Sequence, residues 1–318
     1  MISLKDYIIE SIFDKEDAIM DKTIKSATKA KLAEIRNWAK IHTDKAGGTM
    51  KIYEEGGDFI VKFSGKTRYI TIDHTNIPDD IKFNLVDSVC GKLVLYNMED
   101  NFMERIIADS LDTLCINRAE KATTTGKVSV KSIEQLEYII NDKSKLHDLT
   151  PFKNSKIQYM LIELADQTNL SFDLNLNGLD IKDDIHVMGQ YNYSKSAGPG
   201  FVVKTKGNYN VKRVNVEYGA RIEGLPSKLT ELTDESWNTV LSGNVKEIDK
   251  LYLNVCPPDG FVELQDELDR LKQIIDGEIS LPKFKKLTFD TPYGNWKCKE
   301  KDLIDTVDIM IKGIKKVK

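Results

Sequence analysis

A short signature recurs along this chain: an aliphatic residue, any residue, an aliphatic residue or Phe, then Asn or Asp. It stands as Ile70-Thr71-Ile72-Asp73, Leu114-Cys115-Ile116-Asn117, Leu170-Ser171-Phe172-Asp173, Leu251-Tyr252-Leu253-Asn254 and Leu287-Thr288-Phe289-Asp290. Looser copies are Leu93-Val94-Leu95-Tyr96-Asn97 and Val214-Asn215-Val216-Glu217. The leading aliphatics Ile70, Leu93 and Leu114 lie 23 and 21 residues apart, and the step from Leu170 to Val214 is 44. These intervals are close to one or two units of a leucine-rich-type repeat of about 22 residues. Alternate residues of a strand point to one face, so each copy can bury its two aliphatics inward. The closing Asn or Asp suits the turn that follows. The pattern predicts an α+β chain: an N-terminal helical segment, then an irregular leucine-rich-repeat-like solenoid. In it Ile70, Leu93, Leu114, Leu170, Leu251 and Leu287 occupy strands of one stacked sheet.

The segments between strands are expected to return as helices. Residues 100–111 fit, with Phe102, Ile106 and Ile107 apolar. Ser132-Ile133-Glu134-Gln135 has the form of a capping box, opening a helix through Leu136, Ile139 and Ile140. Residues 261–276 carry Leu264, Leu268, Leu271 and Ile275 on one helical stripe, stopped by Gly277. Residues 59–63 and 68–72, separated by Ser64-Gly65-Lys66, read as a hairpin or two successive coils. Ahead of the body, residues 2–13 are amphipathic, with Leu4, Ile8, Ile9 and Ile12 apolar. A longer helix is expected to about Ile41, with Ile24, Ala27, Leu32, Ile35 and Trp38 on one face and Lys22, Lys25, Lys29 and Arg36 on the other. Gly47-Gly48 stops it. The organisation expected is therefore a helical targeting or docking segment, 1–47, and an irregular repeat body, 48–318. An internal boundary is expected near 191–200, at Ser196-Ala197-Gly198-Pro199-Gly200.

Local chemistry is sparse. With 46 Lys and Arg against 50 Asp and Glu, the net charge is −4, which argues against a dedicated nucleic-acid binder, whose affinity comes from neutralising phosphates. No apolar run approaches the ~20 residues of a membrane span. Cys90, Cys115, Cys256 and Cys298 form no C-x-x-C pair, and read as reduced, mostly buried thiols. Ser64-Gly65-Lys66-Thr67 resembles the end of a phosphate-binding loop. The glycine required five residues before the Gly-Lys pair is Ile60, so a turn is the better reading. Thr125-Gly126-Lys127-Val128 lacks the hydroxyl after lysine. His42, His74, His147 and His186 show neither H-x-H nor H-x-x-x-H spacing, although Asp73 precedes His74 and Asp183-Asp184 precede His186. Asp79-Asp80 and Asp183-Asp184 sit beside turn-forming residues. No residue is assigned as catalytic, cofactor-binding or metal-binding. A site assembled from distant segments stays open.

The opening Met1-Ile2-Ser3-Leu4-Lys5-Asp6-Tyr7-Ile8-Ile9-Glu10-Ser11 resembles the short tags on proteins packaged inside the heads of large tailed bacteriophages. In that family the tag directs a protein into the assembling prohead, and a protease cuts after an aliphatic-x-Glu triplet. Carried onto this chain, the resemblance implies Ile8 and Glu10 as the recognition positions and cleavage before Ser11. The opening and the repeat together are similar to phage proteins with degenerate leucine-rich-type repeats. The implied role is that of a non-enzymatic phage protein, virion-associated or packaged in the head. It binds a protein partner through its repeat surface: a scaffold or capsid component, or a host protein. No cofactor, specific nucleic acid or membrane is implied, and the location is the host bacterial cytoplasm and then the virion interior. The alternative is a packaged enzyme, a hydrolase or a host-modifying transferase, with a site built from distant segments.

Overall fold

A computed structural model describes residues 7–10, 33–34, 39–42, 48–73, 77, 80–96, 102–119, 128–140, 146–164, 170–189, 200–254, 264–290 and 309–312. They form a β-solenoid of about seven turns with few helices. In chain order the strands are β1 (Tyr7–Glu10), β2 (Ala39–His42), β3 (Thr49–Glu55), β4 (Asp58–Asp73), β5 (Ile81–Tyr96), β6 (Ile106–Ala119), β7 (Ser129–Ile140), β8 (Leu146–Asp148) and β9 (Lys156–Leu164). They continue as β10 (Leu170–Asn175), β11 (Ile181–Met188), β12 (Phe201–Lys206), β13 (Arg213–Glu217), β14 (Ala220–Glu223), β15 (Lys228–Asp234), β16 (Glu247–Asn254) and β17 (Lys283–Asp290). Helix α1 (Leu264–Ile275) lies between β16 and β17. Two compact units result: residues 1–166 with 174–182 and 207–209, and the remainder.

In the first unit β4, β5, β6, β7 and β9 stack in parallel, each on the next. The register places Ile70, Leu93, Leu114, Leu136 and Met160 opposite one another, at steps of 23, 21, 22 and 24 residues. Two residues on, Ile72, Leu95, Ile116, Tyr138 and Ile162 form a second row, and both rows are buried. Each such side chain contributes about 1.5–3 kcal/mol by leaving water, so these rows dominate the stability of the stack. A third group forms at the start of the coils: Val61, Phe83 and Ile106 align, and the Phe83 ring lies 6.5 Å from Phe63 and 5.9 Å from Phe102.

Several local expectations change. Residues 59–72 belong to one continuous strand, β4, which pairs with β5 from Phe59 to Asp73. Ser64-Gly65-Lys66 is a bend within it, with Gly65 at φ 81°, and the pairing slips between Lys62 and Ser64. A corner and a hairpin turn use the same residues, so the local sequence does not distinguish them. The capping-box segment 132–140 is strand, not helix. Its Ile133, Leu136, Tyr138 and Ile140 are buried, and Ile133, Leu136 and Tyr138 stack on Leu111, Leu114 and Ile116. Tertiary pairing has overridden a local helix signal. Residues 102–105 form a 3-10 turn that buries Phe102 and Met103, and strand begins at Ile106. The stripe ending at Gly277 is helical as expected, with Leu271 buried and Gly277 at φ 79°.

The N-terminal segment differs most. Tyr7–Glu10 and Ala39–His42 are strands rather than parts of helices, and of its described residues only Ala33 and Glu34 are helical. The remainder of 1–47, including the expected stripe from Ile24 to Trp38, lies outside the described residues. β3 runs antiparallel to β4 over seven pairs, from Glu55↔Asp58 to Thr49↔Ser64. β2 pairs antiparallel with Tyr69 to Ile72 of the same strand. Both halves of the outer edge of β4 are thus covered, which removes a row of unpaired N–H and C=O groups. β1 adds four pairs to the other edge of β3. Each hydrogen bond gained is worth about 0.5–1.5 kcal/mol net.

In the second unit β11, β13, β15, β16 and β17 stack in parallel. Ile185, Val214, Leu232, Leu251 and Leu287 align, at steps of 29, 18, 19 and 36 residues. The next inward row is Val187, Val216, Asp234, Leu253 and Phe289. Asp234 is fully buried because its Oδ2 accepts the backbone N–H groups of Thr239 and Val240, each at 2.8 Å. The turn so fixed carries Trp237, at φ 63°, fully buried and 6.0 Å from the Phe289 ring. Leu170 corrects the sequence reading: it opens β10, in a smaller sheet with β12 and β14, and its N–H donates to Gly200 O. It repeats the motif without joining the main ladder. Gly189 lets adjacent coils meet closely, since a Cβ there would lie 2.2 Å from Tyr218 O. The loop expected as a boundary, 191–200, lies outside the described residues except for Gly200.

The inward row gives a direct check. Leu253→Ala should lose about 2–5 kcal/mol of unfolding free energy in urea titrations, as for a buried large-to-small change. Thr288→Ala, on the outward side of β17, should stay within about 0.5 kcal/mol. Similar losses for the two would refute the assignment of faces.

Candidate functional site

Alternation along stacked strands also builds the outer face, with rungs about 4.8 Å apart. In the second unit Asp184, Arg213, Glu231, Lys250 and Lys286 align in one outward row. His186, Asn215, Thr233, Tyr252 and Thr288 form the next. Opposite charges reach between neighbouring coils: Arg213 Nη2 lies 2.7 Å from Asp183 Oδ2, Lys228 Nζ 3.1 Å from Glu247 Oε1, and Lys285 Nζ 2.7 Å from Asp249 Oδ1. Lys250 Nζ lies 3.6 Å from Glu231 Oε2. The near balance of cations and anions in the sequence has its use here. Exposed pairs add little energy each, but the opposite signs that face one another from Asp184 to Lys250 avoid the repulsion that like charges cause; only at the last step, Lys250 opposite Lys286, do like charges of this row meet.

One end of this face gathers titratable groups. His186 Nε2 is 3.4 Å from Glu217 Oε2, and Asn215 Nδ2 donates to Glu217 Oε1 at 2.9 Å. The bond with His186 holds the Glu217 carboxyl below the usual range, against the effect of its burial, with help from Asn215. Burial pushes the Asp184 carboxyl up, despite the opposing charges of Arg213 and His186. Two carboxylates on adjacent coils are thereby driven apart, one to hold a proton more readily and one to release it. Such divergence is what acid–base chemistry uses. Here, however, the groups are engaged laterally along a strand face.

The outer face of the first unit differs. Its rows are Tyr69, Lys92, Thr113, Gln135 and Tyr159, and then Thr71, Val94, Cys115, Glu137 and Leu161. Lys92 Nζ reaches over β6 to Glu137 Oε2 at 2.6 Å. Beneath lies Cys115, buried, its thiol pushed up to about 12 by burial and by the neighbouring Glu137 charge. Burial also raises the Cys90 thiol. The thiolate is the nucleophile, so neither sulfur is primed at neutral pH.

The other sequence candidates scatter. His147 is buried and shares a 2.6 Å hydrogen bond with the Tyr138 hydroxyl, which makes it a core group. His42 falls in β2, and Asp80 in a turn whose carbonyl accepts the Phe59 N–H. Lys66 and Thr67 lie at the bend of β4. Ile8 and Glu10 lie in β1, opposite Lys51 and Thr49. Ser11, His74, Asp79, Cys256, Cys298 and residues 125–127 lie outside the described residues, and Val128 is buried. Sequence reasoning picked out His186 and the Asp183-Asp184 pair but missed Arg213, Asn215 and Glu217. The signal was present in the loose copy Val214-Asn215-Val216-Glu217: aligning its Val214 with Ile185 sets Asn215 beside His186.

Among the described residues no group of three or more His, Cys, Asp and Glu side chains could hold a metal ion. No described helix is long and apolar enough to cross a membrane. No known protein family, curated protein or solved structure matches the chain.

The two displaced carboxyls give opposite pH signatures. Lowered in the folded state, Glu217 adds stability above its unfolded value, lost as pH falls through the folded one. Raised in the folded state, Asp184 does the reverse: its contribution is present in acid and lost as pH rises through the folded value. Asp184→Asn should therefore raise Tm at pH 7 relative to wild type and leave it unchanged near pH 3, whereas Glu217→Gln should lower Tm at pH 7. Differential scanning calorimetry across that range reads both signs.

Proposed function

We propose that this protein is a non-enzymatic phage protein, carried into the head, that binds a protein partner through the outer face of its stacked sheet. The observation behind the binding reading is the in-register outward row Asp184, Arg213, Glu231, Lys250 and Lys286, with His186, Asn215, Thr233, Tyr252 and Thr288 beside it. A row fixed by backbone pairing presents charge of both signs at set intervals on a rigid surface. That suits recognition of a complementary protein face, where charge sets register and partner choice. Delivery to the head rests on the tag resemblance of residues 1–11, with cleavage between Glu10 and Ser11. The partner is then a scaffold or capsid component met during assembly, or a host protein met after delivery.

One observation favours a second reading, a packaged hydrolase. Asp184 and Glu217 are displaced in opposite directions beside His186 and Arg213. The binding reading is preferred because Glu217 is held by His186 and Asn215, and Arg213 by Asp183.

Mass spectrometry of purified virions tests delivery: the expected finding is this chain with Ser11 at its N-terminus, and absence from virions would overturn it. For binding, Lys250→Glu combined with Lys286→Glu should weaken association with the co-expressed capsid or scaffold partner at least tenfold, with Tm shifted by no more than a few degrees. Unchanged association would remove the face from consideration.

A further inference from the structure

The parallel ladder of the second unit ends at β17, which pairs with β16 on one side and, among the described residues, with no strand on the other. Its inward side is already closed: Leu287 and Phe289 are buried, and the Phe289 ring lies against Trp237. A strand laid on this edge meets backbone N–H and C=O groups and the exposed Lys283, Lys285 and Lys286. The charges of the ladder lead up to these three. Lys228 faces Glu247, which faces Lys283; Asp249 lies 2.7 Å from Lys285; Glu231 faces Lys250, which faces Lys286. Glu247 is taken by Lys228 at 3.1 Å and Glu231 by Lys250 at 3.6 Å. Lys283 and Lys286 are left without a carboxylate among the described residues. At all three positions the charge that complements the last rung is negative.

We propose that the outer edge of β17 is a docking site for an extended acidic segment of a partner protein, which adds as one further parallel strand. Carboxylates at its first, third and fourth positions face Lys283, Lys285 and Lys286. Backbone pairing supplies the affinity, as in other strand-addition complexes, and the lysines supply the choice of partner. Such a strand also offsets the meeting of Lys250 with Lys286, the like-charged step of the outward row. A second copy is rejected, because its own β17 would set lysines against lysines. Lysine thus makes this edge a poor template for strands in general and a selective one for an acidic strand. The newcomer needs no apolar row, since Leu287 and Phe289 are already covered. The inference rests on the proposed function only for the class of partner, a protein; it needs neither head delivery nor the rest of the outer face.

The full-length chain is titrated into dye-labelled peptides with blocked ends, and binding is read by fluorescence anisotropy. The first peptide, Glu-Val-Glu-Glu-Val-Thr-Val-Thr, matches the 8 residues of β17. The second has lysine in place of each glutamate. The third keeps the glutamates but has proline in place of the first two valines, which removes ladder donors. The expected result is saturable binding of the first peptide that weakens as salt is raised. The second should not bind, and the third should bind at least about tenfold more weakly. A Lys283→Glu/Lys286→Glu variant should reverse the preference, losing the glutamate peptide and taking the lysine one. Lys283→Gln/Lys286→Gln, which only removes charge, should weaken the glutamate peptide while leaving Tm within a few degrees. No binding of the first peptide would overturn the site, and equal binding of the proline peptide would overturn strand addition. Binding indifferent to the charge at 283 and 286 would overturn the assignment to β17. None of the peptides carries a capsid or scaffold sequence, so failure here leaves the virion and co-expression tests standing, and their failure leaves this edge standing.

Discussion

Everything in this molecule depends on the parallel backbone pairing of one coil on the next. A strand has period two, so a slip of one residue would turn every aliphatic of a coil outward and every charge inward. The register must be held at each step, and the sequence spends residues on holding it. Ile70, Leu93, Leu114, Leu136 and Met160 pack as one buried row in the first unit, and Ile185, Val214, Leu232, Leu251 and Leu287 do so in the second. Close approach between coils excludes a side chain at Gly189 and at Gly224, where a Cβ would meet Tyr218 O and Thr205 O. Where the inward row carries Asp234, the carboxylate is occupied in holding the turn that packs Trp237.

Stacked parallel strands must also end somewhere. The outer edge of β4 is closed by β2 and β3, both antiparallel, which no longer repeat the coil. β17 carries Lys283, Lys285 and Lys286, and a charged strand is a poor template for further pairing.

The repeat was legible in sequence because its chemistry is local. Ile70, Leu93, Leu114, Val214, Leu251 and Leu287 all fall in ladder rows at the positions the motif marks. Leu170 was misplaced because the motif reports a buried strand, not which sheet it joins. Helix was expected at 132–140 because Leu136, Ile139 and Ile140 fit one helical face. They stand in a strand because β6 offers partners to residues 129–140. The N-terminal strands were missed for a similar reason: Tyr7–Glu10 and Ala39–His42 pair with residues remote in sequence. The cluster around His186 was half legible. Its β11 members adjoin in sequence, while Arg213, Asn215 and Glu217 arrive only through a 29-residue coil whose length no motif fixes.

The register itself is the claim on which the proposed binding face rests, and a cysteine pair measures it most directly. Thr233 and Tyr252 stand opposite each other on adjacent coils, facing outward. A Thr233→Cys/Tyr252→Cys variant should oxidise readily to a disulfide between these positions, identified by peptide mapping, with Tm maintained or raised. A pair shifted by two residues, Thr233→Cys/Lys250→Cys, should not. Efficient closure of the shifted pair with failure of the registered one would contradict the stacked ladder and the outer face built on it.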